Sequence, residues 1–361
     1  MPKEKKNISK DERDLYFNEA INEALFQSMK KDKSVIIMGL GVDDPKRIFG
    51  TTTNLIENFG KNRVFDMPTS ENAFTGFAIG ASFGKIKPVM VHQRVEFALL
   101  SIDQIINQAA KWFYMNDGQM NVPIVIRLIV GRGWGQGPQH SQSLSSMFAH
   151  VPGLKVVSPS SPSDAKGLLL SSIEDKNPVI FFEHRWLHST YGKVSKKYFT
   201  EKIGKAKIVK KGKDISLVAD SYMTLEIINA AKILKDFNIN AEVIDLRSLR
   251  PLDETLITQS VKKTKKILVV DSGWTKYGIS AEILSIISEK LDHKHILTKR
   301  LGVQDTPIPS TRALAQFSYP NAVTIAKKAL EMLNVKTINL YQKYNNFIPS
   351  DVPNKNFRGP F

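Results

Sequence analysis

Apolar positions along this chain alternate between two rhythms. Residues 15–30 carry them at helical spacing on one face of a polar segment, and Val35-Ile-Ile-Met-Gly39 then runs apolar without a break. The first pattern is that of an amphipathic helix, the second that of a strand buried on both faces. The alternation continues with a strand ending near Asp66 and a small-residue helix over 73–83, where Gly76, Gly80 and Gly84 permit close packing. Strands at 88–91, 122–126, 155–157 and 179–182 and helices at 102–114 and 163–173 follow. From about 187 to 205 the pattern dissolves into polar, aromatic and basic residues. It resumes with strands at 215–219, 241–245 and 266–271 and helices at 222–237 and 279–291. Strands alternating with helices predict parallel sheets covered on both faces, here two doubly wound α/β domains. The expected division is a polar N-terminal extension (1–14), a first domain (15–190), a linker (191–206), a second domain (207–335) and an extended C-terminal arm (336–361). The arm holds aromatics (Tyr341, Tyr344, Phe347, Phe357) without period and is expected to pack on a neighbouring subunit.

A length of 361 residues agrees with two cores. No apolar run is long enough to span a bilayer, and the start of the sequence lacks the apolar core of a signal peptide, so a cytoplasmic protein is expected. Zero cysteines exclude disulfides, thiolate nucleophiles and iron–sulfur clusters. A formal charge of +16 raises the question of nucleic acid. The lysines, however, lie in scattered pairs such as Lys210-Lys211 and Lys262-Lys263 with no interleaved aromatics. A lysine-rich surface, with part of it facing an acidic partner, explains the charge better than a polyanion groove.

Candidate chemistry is sparse when read from residue types alone. Gly39-Leu-Gly41 follows a strand but lacks the third glycine and helix start of a dinucleotide fingerprint, and no phosphate-cradling GxxxxGK[ST] loop exists. Gly131-Arg-Gly-Trp-Gly-Gln-Gly137 forms a flexible loop after a strand, where α/β proteins place ligands. Glu71 opens a helix behind Ser70, a candidate N-cap; by type it is a first-turn acid favoured by the helix dipole. His140, likewise, reads as a hydrogen-bonded structural histidine, and the seven histidines show no metal-ligand spacing.

The longer strings carry more. Phe65-Asp-Met-Pro-Thr-Ser-Glu-Asn-Ala-Phe-Thr-Gly-Phe-Ala-Ile-Gly-Ala81, Ile102-Asp-Gln-Ile-Ile-Asn-Gln-Ala-Ala-Lys111 and Gln139-His-Ser-Gln-Ser143 resemble the β subunits of thiamine-diphosphate-dependent 2-oxo acid dehydrogenases, in the transketolase-like superfamily. Pro152-Gly-Leu-Lys-Val-Val-Ser-Pro159, Ile244-Asp-Leu-Arg247 and Asp271-Ser-Gly-Trp274 extend the resemblance, which runs in register over about 15–332.

That resemblance implies a transketolase-type pyrimidine-binding domain followed by a transketolase C-terminal domain. It implies decarboxylation of pyruvate, a branched-chain 2-oxo acid or acetoin, with thiamine diphosphate held between subunits. An α subunit grips the diphosphate and magnesium, a heterotetramer forms, and a lipoyl acyltransferase core is a further partner; no nucleic acid or membrane is involved. By position, Glu71 matches the acid that hydrogen-bonds a pyrimidine nitrogen and so activates the cofactor, with Ser70 beside it. Phe74, Phe77 and Phe97 are expected to give an apolar setting in which Glu71 shares its proton with that nitrogen. Phe97 matches the aromatic that stacks on the ring, and His140 the histidine that orients and protonates reacting groups. Ile124, Asp175 and Asn177 lie where the family places potassium, largely on main-chain oxygens. The Gly-Asp-Gly…Asn-Asn diphosphate motif is lacking, so activity is expected only with an α subunit. Two stretches depart from the family: His92-Gln-Arg-Val-Glu96, and the loop with Arg132, Trp134 and Gln136. If His92, Gln93, Arg94, Arg132, Trp134 and Gln136 face the substrate channel, a polar acceptor such as a sugar competes with lipoamide, the default acceptor. A non-catalytic assembly subunit is the alternative of another class.

Overall fold

The computed structural model describes residues 11–350 and 352–353, apart from the His293 side chain. Two sheets organise it. The larger has seven strands: β12 (Ser248–Arg250), β6 (Lys155–Val157), β7 (Val179–His184), β5 (Val125–Val130), β4 (Lys87–His92), β2 (Val35–Gly39) and β3 (Val64–Phe65), in that spatial order. All neighbours are parallel except β12, which runs antiparallel to β6. The smaller sheet is ordered β14 (Leu297–Val303), β13 (Lys266–Trp274), β10 (Ile215–Ala219), β11 (Ala241–Asp245), β9 (Lys207–Lys210), with only β9 antiparallel. The central strands β5, β7, β10 and β11 are buried at every position. Helices cover both faces, which is why these strands read as apolar runs rather than alternations.

The two halves are joined by buried polar contacts. Arg247 donates to Asp164 Oδ1 at 2.9 Å and Glu201 Oε2 at 3.0 Å. Ser158 donates to Asp220 Oδ2 at 2.8 Å, and Ser160 to Asp245 Oδ2 at 2.5 Å. Tyr222 of the second half stacks on His184 of the first, with ring centroids 4.9 Å apart.

Several expectations need correction. Glu12–Tyr16 (β1) is a strand, pairing antiparallel with Tyr191–Ser195 (β8), so part of the expected extension and part of the expected linker form a ribbon. β12 crosses over to the first sheet, so that sheet draws on both halves of the sequence. The helix expected over 102–114 is present, but its middle is wound as a π-helix (Gln104–Ala109) ahead of an α-helical end (Ala110–Met115), and a 3-10 segment (Val95–Ser101) leads into it. The C-terminal segment does not stand away from its own core. Leu340 and Tyr344 are buried in it, and the Tyr344 hydroxyl donates to Asp236 at 2.9 Å. Phe357 and residues 354–361 lie outside the described residues.

Candidate active site

The carboxyl ends of β4 and β5 open into a cleft of about 450 Å³ lined by Phe49, Gln93, Arg94, Phe97, Gln136 and His140, with Asp44 and Lys46 at its lip. β4 ends at His92, after which Val95–Ser101 turns Phe97 into the cleft. β5 ends at Val130, and the chain returns through the glycine-rich loop to the one-turn helix Gly137–His140. That return depends on Gly131. A β-carbon there would sit 2.1 Å from the His140 carbonyl oxygen and 2.2 Å from Gln136 Oε1, so no other residue lets the loop close so tightly.

His140 meets Phe97 edge to face at 5.8 Å between ring centroids, and its Nδ1 bonds to the carboxylate of Glu96. The histidine is partly exposed, whereas the Glu96 side chain is only 10% exposed. An ionised carboxylate can only accept, so Glu96 assigns the proton to Nδ1 and leaves Nε2 as the working nitrogen. Sequence reasoning singled out His140 and Phe97 but gave Glu96 no role at the histidine. The only available signal was an acid immediately before Phe97, in the stretch that departs from the family.

The six residues expected at a substrate channel divide. Gln93, Arg94 and Gln136 line the cleft. Gln93 donates to the Leu40 carbonyl at 2.7 Å, and Arg94 Nε to Gln136 Oε1 at 3.2 Å. His92 does not reach it. As the last residue of β4, paired with Leu128, it is buried at 3% exposure, and burial pushes its pKa down to about 4. Arg132 and Trp134 are also turned away, because the loop passes through positive φ at Gly133, Trp134, Gly135 and Gly137. Arg132 stacks on Tyr319 (4.2 Å) and Trp186 (4.3 Å) beside a separate cavity of about 260 Å³, and Trp134 packs edge-on to Trp186.

Glu71 is not among the residues lining the cleft. It is buried at 7% exposure at the start of the helix Glu71–Phe83, which follows β3 at the sheet edge. Ser70 precedes that helix but makes no side-chain capping bond, against expectation. Phe74 is half-buried, and Phe77 is 54% exposed, so the apolar setting expected around Glu71 is incomplete within this chain. Ile124, Asp175 and Asn177 come together where β5 and β7 begin. The Ile124 carbonyl accepts from the Val179 amide at 3.0 Å, and Asp175 Oδ1 accepts from the Asn177 amide at 2.9 Å. Lys155 pairs with Asp175 Oδ2 at 2.5 Å, whereas the buried Asn177 Oδ1 has no partner among the described residues. No group of three or more His, Asp or Glu side chains suited to a metal occurs among the described residues, and no helix there is long and apolar enough to cross a membrane.

Comparison with known proteins places this geometry. The profile described as "Transketolase, pyrimidine binding domain" matches residues 14–189, and that described as "Transketolase, C-terminal domain" matches 204–325. The chain is 38% identical over 322 residues to the mitochondrial pyruvate dehydrogenase E1 component subunit beta-1 of Oryza sativa subsp. japonica, covering 88% of this chain and 86% of that protein. The corresponding subunit beta of Rickettsia bellii is 36% identical, over 88% of this chain and 98% of its own. Subunit beta of the acetoin:2,6-dichlorophenolindophenol oxidoreductase of Bacillus subtilis is 36% identical, over 90% of this chain and 99% of its own. Among solved structures, a split-gene transketolase described as an inactive beta4 tetramer superposes with a TM-score of 0.72 at 20% identity, covering 90% of this chain and 99% of that one. That likeness speaks for the fold.

Proposed function

The chain belongs to the transketolase-type β subunits of 2-oxo acid dehydrogenase E1 components, and we propose from this that it activates thiamine diphosphate at an interface with an α subunit. The observation that carries the reading is the Phe97–His140–Glu96 arrangement in a cleft at the carboxyl ends of β4 and β5. Phe97 offers a flat aromatic face in the cleft, and Glu71, buried outside its lining at the start of the helix Glu71–Phe83, is the acid that the family resemblance assigns to a ring nitrogen. Thiamine diphosphate, when bound, would supply the carbon nucleophile for decarboxylation of a 2-oxo acid.

The chain's own residues do the rest. Glu71 would hydrogen-bond the ring nitrogen of the pyrimidine. Phe97 fixes the ring by stacking. His140, with Nδ1 held by Glu96, presents Nε2 to donate or take a proton at the substrate oxygen. The diphosphate and magnesium ligands belong to the α subunit, so activity requires a heterotetramer. Lipoamide on an acyltransferase core is the default acceptor. Potassium, where bound, would use Asn177 Oδ1 and main-chain oxygens near Ile124, since Lys155 already occupies the Asp175 carboxylate.

Glu71→Gln is the direct test. In the reconstituted α–β complex it should slow deuterium exchange at the thiazolium carbon by about 10²- to 10⁴-fold, the usual cost of losing a positioned proton-transfer group, without preventing assembly. Exchange at the native rate would remove Glu71 from the mechanism.

A further inference from the structure

The cleft beside His140 holds a buried positive charge for which the cofactor chemistry above has no use. Arg94 is 9% exposed and lines the cleft with Phe97, His140 and Gln136. Its hydrogen bonds among the described residues run to uncharged oxygens: Nη1 to the Gln93 carbonyl at 2.7 Å and Nε to Gln136 Oε1 at 3.2 Å. Nη2 is left for a ligand. Glu96, the carboxylate whose charge acts on Arg94, bonds His140 through Oε1; its buried Oε2 has no hydrogen-bond partner among the described residues, and no ion pair joins it to the guanidinium. A second guanidinium adds to the positive potential. Arg185 and Arg94 both lie against the Phe49 ring, at 4.3 Å and 5.1 Å from its centroid. Burial, with Arg94 as the second cause, pushes the Arg185 pKa down to about 9. For Arg94, whose hydrogen bonds run to uncharged oxygens, desolvation is only partly offset, and an incoming anion would offset the rest. Lys46 stands exposed at the lip of the same cleft, where it raises the local concentration of anions.

We propose that Arg94, Gln136 and Lys46 form an anion subsite within the reaction cleft, which binds a carboxylate or phosphate at the end of the ligand remote from its reacting carbonyl. The inference rests on the reading of this cleft as the thiamine site and narrows which compounds enter it. A neutral, largely apolar ligand leaves Arg94 Nη2 unbonded; a dicarboxylic 2-oxo acid or a phosphorylated carbonyl acceptor engages it. Gln136 holds the guanidinium through Nε and so directs its remaining donors. It belongs to the same loop as His140, which ties anion binding to the position of the histidine.

The two sources of the anion are separated with the reconstituted α–β complex. The donor arm measures thiamine-dependent carbon dioxide release from 2-oxobutanoate against 2-oxoglutarate. The acceptor arm follows product formation with glyceraldehyde against glyceraldehyde 3-phosphate. In one arm the wild type should favour the anionic member by roughly tenfold or more in kcat/KM, the effect of one charge-assisted contact. Arg94→Met should bring that ratio close to one, Arg94→Lys should keep part of it, and the exposed Lys46→Gln should lower it roughly threefold. Titration of inorganic phosphate into the purified full chain without cofactor should raise Tm in the wild type and less in both Arg94→Met and Lys46→Gln. No anionic preference in either arm, or a preference unchanged in Arg94→Met, overturns the subsite. Absence of thiamine-dependent release from every donor overturns the reading of the cleft instead. The phosphate titration then decides the subsite alone: stabilisation that depends on Arg94 retains it, and stabilisation independent of Arg94 removes it.

Discussion

A carboxylate bonded to one ring nitrogen of a histidine decides which nitrogen works, and Glu96 does this for His140. Glu96→Gln keeps a hydrogen-bonding group but can turn either its oxygen or its amide toward Nδ1, so it no longer fixes which ring nitrogen carries the proton. We expect kcat to fall by about 10- to 100-fold, the range for loss of an orienting partner, with the KM for the 2-oxo acid little changed. A fall in kcat matched by lost stability of the chain would make Glu96 a packing residue. His140 was legible because it sits in a recognisable string, Gln139–Ser143, whereas Phe97 was assigned only by its position in the register, behind a stretch that departs from the family. The Glu96–His140 contact was not legible, because it joins residues 44 apart across a loop closed by Gly131 and a run of positive φ angles. His92 and Arg132 were misplaced for the same reason: neighbours in sequence face opposite ways at a strand end, and a glycine-rich loop does not reveal where its side chains point.

At the scale of elements, the seam between the two sheets stores a measurable pH dependence. Asp220 precedes the helix Ser221–Lys235 and is fully enclosed; burial first, and then the charge of Asp271, push its pKa up to about 7. Asp245 is likewise raised to about 7 by burial. A carboxyl that holds its proton more tightly when folded favours the native state at low pH. That contribution is lost as pH climbs from about 4, the ordinary carboxylate range, through about 7. Asp220→Asn, which keeps an acceptor for Ser158, should therefore stabilise the protein at pH 8, by of the order of 1 kcal/mol, and markedly less at pH 5. Urea titrations at both values read this directly, and the same change at both would contradict the assignment. Strand–helix alternation was legible because the central strands are continuous apolar runs. The β1–β8 ribbon and the crossing of β12 were not, because exposed or three-residue strands have no apolar signature and take their pairing from distant partners. The C-terminal segment makes the same point. Leu340 is 5% exposed within the main core, so Leu340→Ala should cost about 2–4 kcal/mol, as for other buried leucines. A loss that appeared only as weaker oligomerisation at low protein concentration would restore the idea of an arm packed on a neighbouring subunit.

At the scale of the whole molecule, the surface beside the cleft is unfinished. The helix Glu71–Phe83 and the segments Val95–Ser101 and Ala110–Met115 lie close together, with Phe83 stacked on Trp112 at 4.8 Å. They leave Phe77 54%, Leu100 62%, Tyr114 88% and Met115 57% exposed. Large apolar side chains exposed on neighbouring elements are the kind of surface a partner subunit covers, and the proposed α subunit is expected here. The segment that exposes Leu99 and Leu100 also turns Phe97 into the cleft, and the helix that exposes Phe77 begins at Glu71. A subunit seated on this surface would therefore cover the helix that begins at Glu71 and the segment that forms one wall of the cleft together, adding to the apolar setting of an acid already buried within this chain. The substitution that separates folding from assembly is Leu100→Glu. An exposed leucine contributes little to the stability of the isolated chain, whereas a charge at the centre of an apolar interface leaves it desolvated and unpaired, at several kcal/mol. We expect an unchanged urea transition for the chain alone, loss of the heterotetramer peak when α subunit is added in sedimentation velocity, and thiamine-dependent activity lost in proportion. Normal assembly and activity in Leu100→Glu would move the partner to another face, and the completion of the Glu71 pocket would then have to be sought elsewhere on the chain.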